Sequence, residues 1–448
     1  MFTYTSNQFQ EIIDFMLKEA KRTGASDAVA EISEGQGLSV TVRKGEVEII
    51  EQSLDKQVGV TVFLGHQRGN ASTSDFSKES LKATVDAAYH IAQHTAEDIC
   101  AGPAEAELLE KNPLDLDLFH PWNIDAAGAI EIARSAEGAA FSVSKQIQNS
   151  DGASVSAHHA HFMMGTTHGF MGGYPFSRHY ISCAPIASEG GKKAHMQRDD
   201  WYSSSRIPGE LADPVAIGKY AAERALSRLK ARSLTTRRCP VIFEAPLAAG
   251  LLGGLVQAVS GGALYRRSSF LFDSLGKQVL PKHVSLFEEP HLRSMMGSAP
   301  FDEEGVKTSA RTVVDRGILE GYFLSTYSAR KLGMQTTGNA GGSHHLTLKS
   351  KKPPKGGLPA LLKEMGTGLL VTELMGQGVN YVTGDYSRGA FGYWVENGEI
   401  QYPVEEVTIA GNLRDMLMDI QLIGSDTLIR GTKETGSILL SSMTVGGK

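Results

Sequence analysis

Glycine punctuates this chain from end to end. The 49 glycines in 448 residues exceed the usual share of about 7%, and they lie in turns between short apolar runs rather than in one low-complexity tract. That pattern favours a fold rich in strands and tight connections, because glycine supplies the backbone conformations that reversing turns require. A chain of 448 residues also exceeds the roughly 250–300 residues at which a single core stops growing, so two or three domains are expected.

The net charge of −6 carries no basic stripe. Nucleic-acid binding requires clustered Lys and Arg to neutralise phosphates, so neither DNA nor RNA is an expected ligand. Cys100, Cys183 and Cys239 are odd in number and far apart, which gives neither a disulfide framework nor a Cys-x-x-Cys metal site. The opening residues MFTYTSNQFQEII lack the basic start and apolar core of a signal peptide. No run approaches the roughly 20 apolar residues that cross a bilayer. The expected compartment is the cytoplasm, with no membrane partner.

Phe9, Ile12, Ile13, Met16, Leu17 and Ala20 recur at helical spacing, with Ser6 or Asn7 as cap and Gly24 as stop. Strand patterns follow at Asp27 to Ser33, in a hairpin turning near Lys44-Gly45, and at Val58 to Thr73. Helices are expected from Ser77 to about Glu97, Ile124 to Val143 and Pro214 to Ala231. Between the last two, alternating segments from Ile147 to Trp201 are broken at Ser150-Asp151-Gly152, Gly172-Gly173 and Gly190-Gly191. The remainder reads as strand-dominated after one apolar helix at Leu247 to Ser260. The expected class is α+β: a mixed α/β N-terminal domain with a curved sheet, then a Gly-rich, β-dominated C-terminal domain. Residues 1–120 and 121–235 form two α/β subdomains of one N-terminal unit. Residues 239–448 form the C-terminal domain, after the basic connector Arg232 to Cys239.

Local patterns give no convincing catalytic site. His90 and His94 have the i, i+4 spacing of a helical zinc site, but they lie opposite the apolar stripe of Leu81, Val85, Ala88 and Ala92. His158, His159 and His161 fall on a strand near His168 and His179. His159 and His161 share a face there, and no Asp, Glu or Cys is suitably spaced beside them. His344-His345 follows Asn339-Ala340-Gly341-Gly342 and reads as a surface turn. Gly384-Asp385-Tyr386-Ser387-Arg388-Gly389 has Asp385 where a nucleophile elbow needs glycine. Gly366-Thr-Gly368 lacks the third glycine of a dinucleotide fingerprint. Glu373, Asp385 and Glu396 are acids near apolar strands, a weak signal.

Longer stretches say more. VIFEAPLAAG (Val241 to Gly250), LYRRSSFLFDSLGKQVLP (Leu264 to Pro281), YSARKLGMQTTGNAGG (Tyr327 to Gly342), KEMGTGLLVTELMGQG (Lys363 to Gly378) and TGDYSRGAFGYWVENGEIQYPV (Thr383 to Val404) together resemble the TldD/PmbA (TldE) protease family, in its PmbA/TldE branch. The resemblance runs over essentially the whole chain. It implies an N-terminal α/β domain and a C-terminal β-rich domain. Some members have been named modulators of DNA gyrase; the charge of this chain makes any such effect indirect.

In the TldD branch a helical His-Glu-x-x-x-His motif and a later cysteine hold zinc, and the glutamate activates its bound water. By its spacing to Tyr265-Arg266-Arg267, the matching helix here carries Gly253, Gly254 and Ala258. No cysteine follows Cys239. The resemblance therefore implies a chain with no catalytic residue and no metal of its own, paired with a zinc-bearing TldD-type subunit. The pair would enclose a chamber for unfolded peptide, trimming leader peptides and degrading antitoxin-like proteins. Glu373, Met375 and Gly376, with Asp385, Ser387 and Arg388, are candidates for chamber wall or subunit interface. Two other readings stand beside this one: a peptidase active alone through an unrecognised metal site such as the His158 to His168 cluster, and a homodimer that binds peptides without cleaving them.

Overall fold

The computed structural model describes residues 2–190, 195–352 and 356–447, so Gly191 of the expected Gly190-Gly191 turn lies outside the described residues. The first helix, α1 (Ser6–Thr23), is capped by Thr5 and not by Ser6 or Asn7. The Thr5 hydroxyl accepts from the Gln8 backbone N–H while the Gln8 side chain accepts from the Thr5 N–H. That reciprocal box satisfies two helix-end donors at once, which a lone serine cannot do. Gly24 ends the helix at φ 104°.

The strand segments read separately from the sequence merge into two long strands, β1 (Asp27–Arg43) and β2 (Glu46–Leu64). They pair from Asp27–Phe63 to Arg43–Glu46 with one bulge at Thr41/Val42. The turn between them holds Lys44 at φ 54° and Gly45 at φ 77°, the left-handed pair that suits strand twist in a two-residue hairpin loop. After β3 (Gln67–Thr73) come α2 (Lys78–His94) and α3 (Ala126–Val143), followed by β4 (Ile147–Thr166), β5 (Met171–Gly172), β6 (Pro175–Ser188), β7 (Met196–Arg198), β8 (Trp201–Ser205) and α4 (Pro214–Ser227). One antiparallel sheet runs β3-β2-β1-β4-β6-β7, with β5 added on β4 and β8 on β6. Its spine is the pairing of β1 with β4, so residues before and after position 120 share one sheet. α1 and α2 cover Val58, Val60 and Val62 at one end. α3 and α4 cover Val40, Val155 and Ile181 at the other.

The C-terminal half opens with β9 (Arg237–Phe243), α5 (Ala245–Ala258) and α6 (Gly261–Tyr265), and continues through β10 (Val284–Glu288), β11 (Arg311–Asp315), β12 (Ile318–Leu319), α7 (Thr326–Leu332) and β13 (Leu346–Ser350). It ends with α8 (Leu358–Met365), β14 (Gly368–Met375), β15 (Asp385–Glu396), β16 (Glu399–Asn412), α9 (Leu413–Met418), β17 (Ile420–Ile423), β18 (Leu428–Arg430), β19 (Lys433–Thr435) and β20 (Ile438–Gly446). One sheet runs β16-β15-β14-β9-β20-β17, and β16 also pairs with β20, closing a five-strand ring. The second runs β12-β11-β10-β13-β19-β18. The short helices α6 to α9 were not expected. At five to eight residues they are too short to show a helical period. The fold is α+β.

The tightest helix contact is that of α3 on α4. A Cβ at Gly218 would sit 1.9 Å from the Ala136 carbonyl oxygen. Gly218→Val should therefore force the helices apart and lower stability by about 1–3 kcal/mol, read as a lower urea midpoint at unchanged slope.

Candidate functional site

α5 lies where the sequence places the helix with Gly253, Gly254 and Ala258. Pro246 in its first turn suits a helix start. Its Leu251, Leu252, Leu255 and Ala258 are buried in the largest core. Interior glycines cost a helix about 1 kcal/mol each relative to alanine; burial of those leucines offsets the cost. The opposite face is open, with Gly250 exposed and Leu247 and Gly253 half-buried. The hairpin β18–β19 lies beside it. A Cβ at Gly253 would stand 3.7 Å from Lys433 Cε, and one at Gly254 would stand 3.6 Å from Leu413. Burial holds the Lys433 amine below its ordinary pKa, and no carboxylate pairs with it among the described residues.

These residues do not fit a zinc ion. Positions 253, 254 and 258 carry no side-chain donor atom, and the Lys433 side chain lies against Gly253. Among the described residues no three of His, Cys, Asp and Glu are grouped to hold a metal. Cys239 is buried within β9, and burial raises its thiol pKa.

The N-terminal end of α5 is fixed by a charge network that sequence reading missed. Arg224 on α4 donates to both carboxylate oxygens of Glu244, the residue preceding α5, at 2.8 and 3.1 Å. Asp199 lies 3.3 Å from Arg224 Nε and 3.4 Å from Arg228 Nη1. Arg228 also bonds the Glu373 carboxylate and stacks over the Phe391 ring at 3.8 Å. Arg430, from the hairpin beside α5, stacks on Trp201 and Tyr202 at 4.4 and 4.0 Å. Asp199, Arg224, Arg228, Glu373 and Arg430 line a cavity of about 280 Å³ that reaches Leu247 and Leu374. Burial raises the Asp200 pKa there, and neighbouring Asp199 raises it further. The one available signal was the four-residue spacing of Arg224 and Arg228, which puts both on one face of an Ala-rich helix.

Glu373 thus joins the network, while the other five wall candidates gather at the far end of the β14–β15 pair. Met375 stands opposite Gly389 and is 45% exposed. Gly376 follows at φ 79°. Asp385 accepts from the Thr383 hydroxyl at 2.6 Å. The Ser387 N–H donates to Gly378 O at 2.7 Å. Arg388 reaches the Leu374 carbonyl at 3.4 Å. Ser387 sits on a strand paired with Ala410, not at a strand-to-helix turn.

The histidines are spread by the fold. His90 and His94 are both exposed on α2. His159 and His161 share a strand face, and both contact the Phe2 ring. The acids that appeared absent beside them arrive from β1. Glu34 meets His161 at 3.2 Å and Asp27 meets His168 at 2.9 Å, contacts that no local spacing could reveal. His161 is stacked on Phe9 at 4.3 Å and His179 holds the His120 carbonyl at 2.8 Å. These are packed or hydrogen-bonded side chains, not a converging ligand set.

His344 and His345 form no surface turn, for both are buried. Glu288, 1% exposed, accepts from the His344 backbone N–H at 2.8 Å, His344 Nδ1 at 3.0 Å, Asn339 Nδ2 at 2.8 Å and Arg311 Nε at 2.7 Å. His345 bonds Glu434 on β19 at 3.2 Å. Burial alone would raise the Glu288 pKa; the His344 hydrogen bond and the Arg311 charge outweigh it and bring the carboxyl from 4.5 down to about 2. A carboxyl depressed on folding stabilises the protein above its unfolded pKa, and that contribution is lost as pH falls through the folded value. Wild type should lose about 3 kcal/mol from this group between pH 4.5 and 2. Glu288→Gln should flatten that part of the stability–pH curve, measured by urea titration at each pH.

Three family models match in succession. They are the PmbA/TldA metallopeptidase domain 1 at residues 28–92, the central domain at 119–229 and the C-terminal domain at 236–447. The Metalloprotease PmbA homolog of Haemophilus influenzae is 46% identical, over 98% of this chain and 96% of that protein. The Metalloprotease PmbA of Escherichia coli O157:H7 is 47% identical, over 96% and 94%. The Metalloprotease TldD homolog of Haemophilus influenzae is more distant, at 24% over 83% and 79%. A crystal structure from Bacteroides thetaiotaomicron superposes with a TM-score of 0.91 at 24% identity, covering 98% of this chain and 99% of that one. TldE from Thermococcus kodakarensis does so at 0.82 and 18%, covering 99% and 100%. At those identities the two structures speak for the fold alone. The sequence relatives and the family models carry the rest: this chain belongs to the TldD/PmbA metallopeptidase family, in its PmbA/TldE branch.

Proposed function

We propose that this chain is the noncatalytic PmbA/TldE subunit of a heterodimeric zinc protease that cleaves unfolded peptides. One observation carries the reading. In a chain that matches the family along its length, the helix in the zinc-motif position has Gly250 and Gly253 on its open side, and the Lys433 side chain of β19 lies against Gly253. A cation there repels a metal ion, and no carboxylate or imidazole stands ready to activate water. At Gly250, which is exposed and has no neighbour within 4 Å of a built Cβ, peptide backbone can approach the open face of α5 closely, as glycine allows.

Haemophilus influenzae has both a PmbA homolog and a TldD homolog, which supports a pair of homologous but unequal subunits. In such a pair the TldD-type chain supplies zinc and the general base. This chain supplies chamber wall, with the exposed end of the β14–β15 pair at Met375, Gly376, Asp385 and Ser387 as the surface for substrate or partner. Strand edges grip extended peptide through main-chain hydrogen bonds with little sequence preference, which suits leader peptides and unstable antitoxin-like proteins as substrates.

The test is hydrolysis of an unstructured peptide by this chain alone, by its TldD-type partner alone, and by the mixture, each with and without a chelator. Cleavage by the mixture, abolished by chelator and absent from this chain alone, is expected. Chelator-sensitive cleavage by this chain alone would overturn the reading.

A further inference from the structure

Arg206, the residue after β8, is 6% exposed and has no carboxylate partner among the described residues. Its Nε donates to Met295 O at 3.0 Å, Nη1 to Ser177 O at 3.1 Å and Nη2 to Met296 O at 3.1 Å. Those carbonyls fix the guanidinium and leave its charge uncompensated. Other largely buried guanidiniums of this chain are paired: Arg224 with Glu244, Arg228 with Glu373 and Arg311 with Glu288. Pairing is the rule for a buried charge, which otherwise loses its hydration with no electrostatic return. Arg178 adds a second cation without an ion pair among the described residues; it is exposed on β6, two positions from Phe176 and on the same face. Burial brings the Arg206 pKa from 12.5 down to about 10; Tyr174 opposes the shift and the neighbouring Arg178 charge adds to it.

Both arginines line a cavity of about 370 Å³ between the N-terminal sheet and the C-terminal half. Ligand sites favour such junctions, with mostly apolar walls and a few converging polar groups. Phe162, Tyr174, Phe176 and Phe301 supply the apolar wall, and Gly341 and Gly342 bring bare backbone from the Gly-rich stretch before His344. Nothing stands within 4 Å of a Cβ built on Gly342, so a ligand can approach the main chain there. Phe162, Tyr174 and Phe176 also line a second cavity of about 820 Å³ over β1 and β2. A ligand held at the arginines therefore has room to continue along the sheet.

We propose that this cavity binds a carboxylate carried beside an apolar side chain, with Arg178 and Arg206 on the carboxylate and the aromatic wall on the side chain. Guanidinium groups match the oxygens of carboxylate and of phosphate equally well. The acids in the lining decide between them. Asp302 and Glu303 face the same cavity and repel a dianion more strongly than a monoanion, which selects carboxylate. Asp302 is already committed, its two oxygens accepting from the backbone N–H groups of Glu304, Val306 and Ala340. Glu303 is exposed and lines the second cavity as well. The carboxylate is that of a peptide, at its C-terminus or on an Asp or Glu side chain. Taking the ligand as peptide rests on the chamber reading above; the anion site itself does not.

The test is calorimetric titration of the full chain alone, with chelator present, so that neither partner nor zinc enters. Three N-acetylated hexapeptides serve as probes: one ending in Ala-Phe with a free carboxylate, the same peptide as its C-terminal amide, and an amide with Asp before the Phe. At least one acid peptide should bind about tenfold or more tightly than the plain amide. Preference for the free C-terminus identifies the chain end as the source, and preference for the Asp amide identifies the side chain. Arg178→Gln, at an exposed position, should remove most of that difference with melting unchanged, and Glu303→Gln should tighten binding of the acid. Inorganic phosphate should bind more weakly than the acid peptide. Equal binding of all three peptides, no binding at all, an R178Q protein that still prefers the acid, or tighter binding of phosphate would each overturn the proposal. None of those results bears on the hydrolysis test, and cleavage by this chain alone would leave the anion site standing.

Discussion

The structure turns on a few arginines that tie its two halves together. Arg224 and Arg228 leave the C-terminal end of α4, whose other side is the core of the first sheet. Their guanidinium groups end on Glu244, Asp199 and Glu373. Glu244 opens α5 and Glu373 lies on β14, so one pair of side chains sets the position of the central helix and strand of the C-terminal half against the N-terminal sheet. Buried ion pairs gain little over apolar packing, but removing one partner strands the other and costs about 3–5 kcal/mol. The network is therefore better understood as a device that fixes geometry than as a source of stability.

A second charged centre, around Glu288, does for β19 what the arginines do for α5. His344 and Arg311 saturate Glu288, and the adjacent His345 holds Glu434. Lys433, the next residue back, is thereby directed onto the glycine face of α5. The hairpin is held again at Arg430, which lies against Trp201 and Tyr202 of the first sheet. The Lys433 side chain thus lies against the Gly253 face of α5.

Much of the fold was legible in the sequence. The helical stripe from Phe9 to Ala20, the Lys44-Gly45 turn and the Ala-rich helices all rest on local chemistry, namely period, turn residues and caps. The Thr5 cap was legible too, through the Thr-x-x-Gln spacing, but serine and asparagine nearby competed for the same role. α6 to α9 were invisible because one or two turns of helix are too short to show a period. The burial of His344-His345 was invisible because a Gly-rich approach reads the same whether the loop ends in solvent or in a core.

The sequence by itself determined the family, the α+β class and the absence of donor side chains at positions 253, 254 and 258, because each of these is a property of residue identity and spacing along the chain. Only the tertiary structure decided which charges meet. Glu34 with His161, Arg228 with Glu373, Glu288 with Arg311 and Lys433 with the face of Gly253 join residues from 23 to 180 positions apart. Long-range pairing is a matter of which surfaces the packed elements bring within a few ångströms, and no local pattern carries that information.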